Sequence, residues 1–472
     1  MKRILLLPMI TWAGILFSQH QELQEEPVIY NGNNVRISDS SSFLSAFKSG
    51  TFQGHFRYFW MNTINEGALK DYYANAIGGG LKYESAIYKN FQFGVSGFYV
   101  FNIGSSKLSE VDSITGMPNR YELGLFDIED PENHKDIDRL EELYLNYHWK
   151  KGHITFGRQL VNSPFINLQD GRMRPTGVEG ITFDHFVNKV HRIQGAYIYA
   201  FSPRSTTKWY YTGESIGLYA QGVNTDGTKH NYAGNLESRF AAYLDYQGKF
   251  GENWKVQAHN LLIDDILNSA FLQINWKKDL ASKRYVEIAA QTIRQDAIGH
   301  GGNEDPANAY VSKGSHAMTF GAKAEWKEHK STFTLAYNHI TKEGRYLMPR
   351  EWGRDPFFTF LPRERSEGYG NVHSILVKYQ QAFPRLRMKS TLGLGHHSLP
   401  DVKNYALNKY GMPSYYQINW DLRYSFHKKL EGLELQTLVV AKFNDGETYN
   451  NPRYMIHKTN MLLINFVLNY HF

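Results

Sequence analysis

The closing run Leu462–Phe472, LLINFVLNYHF, alternates with period two. Leu462, Ile464, Phe466, Leu468, Tyr470 and Phe472 share one face, and Leu463, Asn465, Val467, Asn469 and His471 share the other. One face is apolar and its opposite is mixed and mostly polar, which is the pattern of a β-strand. Beyond the N-terminus no apolar run is long enough for a spanning helix. If the mature chain sits in a bilayer, it must therefore do so as a closed barrel, in which every backbone group is paired.

The same texture extends back to about Thr51. Phe52, Phe56, Tyr58 and Trp60 share a parity against Gln53, His55 and Arg57, and Leu143, Leu145, Tyr147 and Trp149 alternate with Tyr144, Asn146 and His148. Short turns (Lys89–Asn90, Lys151–Gly152, Asn188–Lys189, Lys327–Lys330) alternate with long irregular connections such as Gly104–Asp136, Phe201–Glu237 and Thr341–Glu367. This short/long rhythm is that of outer-membrane barrels, with short periplasmic turns and long extracellular loops. The expected fold is all-β: a transmembrane antiparallel up-and-down β-barrel of about 18 strands, 16 being the other even number that fits, with a constriction loop folded inward. Aromatics at strand ends, such as Tyr58 with Trp60 and Tyr470 with Phe472, fit interfacial girdles. The 32 Tyr and 29 Phe suit this reading better than a soluble core, given a mean hydropathy of −0.49.

Residues 1–18 read as a signal peptide, with Lys2 and Arg3 ahead of the apolar run Ile4–Phe17 and a small residue at Ser18. Residues 19–50, rich in Ser, Asn and Glu, read as an N-terminal periplasmic segment with little regular structure, and residues 51–472 as the barrel. There is no Cys, so neither a disulfide nor a lipid anchor on Cys can form. The net charge of +6 falls to +4 without Lys2 and Arg3, too little to suggest nucleic acid.

Parity places Arg385, Arg387 and Lys389 on one face of an expected strand Arg385–His397, a ladder of cations along the pore wall. It turns Arg57, Arg423 and Lys442 inward, together with the acids Asp245, Glu287 and Glu325. Cations on one wall and carboxylates on another give a transverse field that favours zwitterions and oriented dipolar solutes. The stretch Arg158–Gly180, RQLVNSPFINLQDGRMRPTGVEG, interrupts the strand pattern and is the expected constriction loop, with Asp170, Arg172 and Arg174 near the narrowest point. Arg158 joins this set only if the chain leaves the strand or bulges beside Gly157, because it shares the parity of Ile154 and Phe156. The loop Arg345–Arg365, which mixes charges with Trp352 and Phe357–Phe360, fits a solute-capturing vestibule or a cover locked by its own salt bridges.

Four passages resemble the OprD-like substrate-specific porins: SFLSAFKSGTFQGHFRYFW; ITFGRQLVNSPFINLQDGRMRPTGVEG; RYLMPREWGRDPFFTFLPRERSEG; and the closing NWDLRYSF, LEGLELQTL and INFVLNY strands. The resemblance spans nearly the whole mature chain. It implies an 18-stranded barrel, an inward constriction loop, a basic ladder facing a small acidic or polar patch, and diffusion of small carboxylate-bearing nutrients. By position, Arg57, Arg172 and Arg423 match basic positions of the family and Asp170 matches its acidic loop position. A terminal aromatic residue is also a family trait. The strand after DLRY departs from it, since its inward positions are Glu434, Gln436, Leu438, Val440 and Lys442. Short oligosaccharides or other uncharged nutrients therefore stand as an alternative to amino acids, carboxylates and zwitterions, as does a non-conducting barrel acting as an adhesin. The expected setting is the outer membrane of a Gram-negative cell, in contact with lipid, lipopolysaccharide and small polar solutes, as a monomer or trimer. No catalytic GxSxG or HExxH element occurs, so neither an enzyme nor a cofactor or metal site is expected. A TonB-dependent transporter is disfavoured because 19–50 is too short for its plug.

Overall fold

The computed structural model describes residues 41–168, 171–281, 283–363 and 365–472. The expected signal peptide, most of the N-terminal segment and Asp170 lie outside the described residues. The strands are β1 (Thr51–Asn65), β2 (Tyr72–Glu84), β3 (Phe91–Ser105), β4 (Ile137–Trp149), β5 (Gly152–Gln159), β6 (Gly177–Phe186) and β7 (His191–Ser202). They continue with the two-residue β8 (Tyr210–Tyr211), β9 (Ala241–Phe250), β10 (Trp254–Ile263), β11 (Leu267–Leu280), β12 (Arg284–Ala297) and β13 (His316–Glu328). The last are β14 (Ser331–Ile340), β15 (Val372–Phe383), β16 (Met388–Ser398), β17 (Tyr415–Ser425), β18 (Leu433–Asn444) and β19 (Met461–His471).

Each long strand pairs antiparallel with its sequence neighbours, and β1 pairs with β19 in the register His55↔His471 to Asn65↔Met461. The wall is thus a closed 18-strand barrel, and β8 is an extra strand attached to β7. Closure leaves no unpaired edge, as a strand in hydrocarbon requires. The short turns carry the backbone chemistry that tight reversal demands. Lys89 and Asn90, for example, have φ of 46° and 72°, which the primed hairpin turns need.

Side-chain parity sorts the wall as the alternation demands. On β16 and β17, Leu392, Leu394, Ile418 and Trp420 are exposed on the outside, whereas Gln417, Asn419 and Arg423 are buried inside. Long connections enter the interior, among them 106–136, 203–240, 160–176 and 341–371. The last two meet in one apolar cluster that includes Phe165, Ile166, Phe201, Trp352 and Phe357. Trp352 stacks on Phe201 with ring centroids 4.1 Å apart and donates its indole N–H to Ser215 Oγ at 2.9 Å. A second cluster joins Phe59, Phe98 and Leu463 of the wall to Leu108, Tyr121 and Met173 of the inward connections.

The described end of the 19–50 segment departs from the expectation of little regular structure. Residues Phe43–Lys48 form a helix, α1, capped by Ser42 Oγ, which accepts from Ser45 N–H at 3.0 Å. Phe47 stacks on the outward-facing Tyr83 and Phe93, and Tyr83 Oη–H donates to the Phe47 carbonyl, so α1 lies against the outside of the wall.

Candidate functional site

The lumen has two regions. The first is the constriction made by the inward connections. Arg57 of β1 donates from Nε to Asn469 Oδ1 and from Nη1 to the Arg172 carbonyl, both at 2.6 Å. Arg363 Nη1 donates to the Gly171 carbonyl at 3.2 Å, and Lys442 Nζ to the Arg363 carbonyl at 2.7 Å. Arg172 itself is buried. Burial first, and then the like charges of Arg363 and Arg204, lower the pKa of this loop residue, which lies outside the spanning strands. Arg57, Arg172, Arg204, Arg363 and Lys442 therefore bring cations from five separate chain segments to one place.

Local sequence explains how they fit. A Cβ at Gly124 would stand 2.5 Å from Arg172 Nε, so glycine there lets the 106–136 connection pass beside the guanidinium. That connection also delivers Glu122, buried and held by Thr63 Oγ1–H and by Asn119 Nδ2–H at 2.8 Å. Asn167 ties the 160–176 and 341–371 connections together. It accepts from Arg354 N–H at 3.1 Å and donates to the Arg354 carbonyl at 3.0 Å. Thr176 Oγ1–H adds a bond to the Glu351 carbonyl at 2.6 Å.

The second region is a vestibule of about 870 Å³ on the short-turn side of the constriction. Some of its cations are paired with carboxylates. Lys323 Nζ lies 2.9 Å from Glu287 Oε1, and Arg423 Nε 3.1 Å from Asp421 Oδ1. Asp245 accepts from Gln247 and Gln257, each at 2.8 Å, and Glu325 from Thr334 at 3.0 Å. Lys378, Lys389, further basic side chains such as Arg192, Lys255 and Lys277, and a set of amides add to the lining.

Arg57, Arg172, Lys389 and Arg423 thus reach the lumen or its loops. Arg174 does so as a structural group: its guanidinium sits 3.9 Å over the Phe98 ring and against Glu141, which also holds Arg139 at 3.2 Å. Three expectations are corrected. Arg385 and Arg387 are not on a strand. Pro384–Leu386 is a 3-10 turn and Arg387 has φ 53°, so β16 begins only at Met388, both arginines project from the turn, and no ladder forms. Arg158 stays on the outside with Ile154 and Phe156, despite φ 113° at Gly157. It pairs with Glu179 at 3.0 Å and lies 4.6 Å over the Trp209 ring.

The sequence reading missed Arg204 and Glu122, and placed Arg363 in a loop over the mouth. That loop is indeed held by internal pairs, Arg350 with Glu367 at 3.3 Å among them, yet it enters the barrel as well as covering it. The signal that could have found this is FFTFLP: so many adjacent aromatics demand burial, and the wall offers apolar burial only to inserted segments.

No family model matches the sequence, and no curated protein sequence matches it. Solved structures do match in shape. Acinetobacter baumannii OccAB4 superposes with a TM-score of 0.69 at 15% identity, over 90% of this chain and 98% of that one. Pseudomonas aeruginosa OccK9 (OpdG) gives 0.70 at 13%, over 90% and 99%. The chain shares the barrel fold of these channels. P. aeruginosa OpdK with vanillate matches the same barrel, with a TM-score of 0.69 at 12% identity over 90% of this chain and 99% of that one.

Proposed function

We propose that this OprD-like barrel is an outer-membrane porin for passive, partly selective diffusion of small polar solutes, with small carboxylates and zwitterions favoured. The observation that carries the reading is the convergence of Arg57, Arg172, Arg204, Arg363 and Lys442 on the inward connections. Cations gathered in a narrow passage with low-dielectric walls raise the local concentration of anions and orient a solute by its carboxylate. The mixed vestibule beyond suits this, since paired charges there hold a dipolar solute without trapping it as a lone cation would. Vanillate, in the OpdK structure, is a small carboxylate of the class proposed.

The test is the reversal potential of the purified full chain in planar bilayers under a KCl gradient, for the native protein and for Arg172→Ala with Arg204→Ala. The native channel is expected to prefer anions and the double variant to lose most of that preference. A native channel with no anion preference overturns the reading. The amides Gln194, Gln247, Gln257, Gln273, Asn275 and Asn419 of the vestibule favour a second reading, passage of short oligosaccharides. Liposome swelling that is faster with short sugars than with amino acids or dicarboxylates selects it.

A further inference from the structure

Arg385 and Arg387, absent from the lumen, belong to a pattern that runs round the short-turn rim. Every short turn except Gly251–Asn253 carries Lys or Arg, as in Lys89, Lys283, Arg385 with Arg387, and Lys428 with Lys429. These side chains are exposed, and among the described residues no carboxylate pairs with them. The same turns expose apolar side chains between the charges: Leu386 is 60% exposed, Leu430 51% and Leu280 42%. Exposed leucines set among exposed cations suit the edge of a bilayer better than open water. At the edge of a bilayer, the leucines enter the acyl boundary while the cations reach phosphates. Helix α1 continues the surface, with Phe43 and Leu44 exposed beside Lys48 at the same end of the outer wall. The lipid-facing wall runs directly into this rim, which by the short-turn rule is the periplasmic one.

We propose that the short-turn rim is a binding collar for anionic phospholipid of the inner leaflet. The charge complements a phosphodiester without a compensating cationic headgroup, such as phosphatidylglycerol, better than it complements zwitterionic phosphatidylethanolamine. The leucines and α1 set the depth at which that headgroup is met.

The test offers the full-length protein, in detergent, equal amounts of phosphatidylglycerol and phosphatidylethanolamine and measures by mass analysis the lipid retained per chain. The native protein is expected to retain phosphatidylglycerol preferentially, and high salt to reduce that retention. Arg385→Gln, Arg387→Gln, Lys428→Gln and Lys429→Gln combined are expected to lower it by at least about tenfold. Lys313→Gln with Lys342→Gln, on the long-loop side, is expected to leave it unchanged. Heat-modifiable migration on gels and an intact single-channel conductance report that each variant folds. Equal retention of the two lipids by the native protein, undiminished retention by the quadruple variant, or an equal loss in the long-loop control each overturns the proposal.

Discussion

The constriction and the vestibule use the same residue types in different ways. At the constriction, Arg57, Arg363 and Lys442 donate to backbone carbonyls of the inward connections, at 2.6, 3.2 and 2.7 Å. In the vestibule, Lys323 and Arg423 lie against Glu287 and Asp421. A bond to a carbonyl leaves the donor's charge in place, whereas an ion pair cancels it locally. The first arrangement fixes the loops through their backbone; the second fixes side chains against one another.

The largest expected effect comes from dissolving the constriction. Trp352→Ala removes a fully buried ring stacked on Phe201, at a cost of about 3–5 kcal/mol to the packing that holds the connections inside. Single-channel recordings are expected to show higher, noisier conductance and weaker ion preference. Next comes Arg57→Ala, which deletes a charged donor to the Arg172 carbonyl and costs about 1.5–3 kcal/mol per bond lost. Its reversal potential is expected to move toward that of a cation-permeable channel, and a shift in the opposite direction would break the comparison.

Acid should act on the long-loop cover. Burial holds both His457 and His230 down to about 3, from an ordinary value near 6.5. The unfolded loops therefore bind more protons than the folded ones between these values, so cover stability is full above pH about 6.5 and falls as pH drops toward 3. Limited proteolysis around Tyr449–Lys458 with an acid-tolerant protease is expected to accelerate at pH about 4 over pH about 7. Removing a vestibule pair is gentler. Lys323→Met with Glu287→Gln deletes both charges together, so neither is left uncompensated, and conductance is expected to change by less than about twofold. Arg385→Gln with Arg387→Gln is expected to leave conductance and ion preference unchanged. A measurable loss of anion preference there would restore a role in the pore path to the turn.

What could be read from sequence follows from how far each inference reaches along the chain. Period-two parity is local, so it turned Arg57, Arg423, Lys442, Asp245, Glu287 and Glu325 inward correctly and warned that Arg158 shared the outward parity of Phe156. Parity fails where a strand boundary is misplaced. Extending β16 back to Arg385 carried the pattern through Arg387, whose left-handed backbone ends it. The meeting of Arg204, Arg363 and Arg172 was hidden for a different reason. Their positions depend on where three long connections settle inside a closed wall, and those contacts join segments far apart in the chain.

The seam between β1 and β19 has its own consequence for how the molecule is made. Asn469 Oδ1 accepts from Arg57 Nε across 412 residues of chain, so the first strand waits for nearly everything else before its outer edge is occupied. Until then the growing sheet has two open edges, each a template for a foreign strand. Loop-closure entropy rises only slowly with length, so the hazard lies in the time spent open more than in the free energy of closing. A chain shortened before Met461 would keep most of its wall and its inward loops but would carry that open edge permanently, which predicts aggregation in place of a smaller pore.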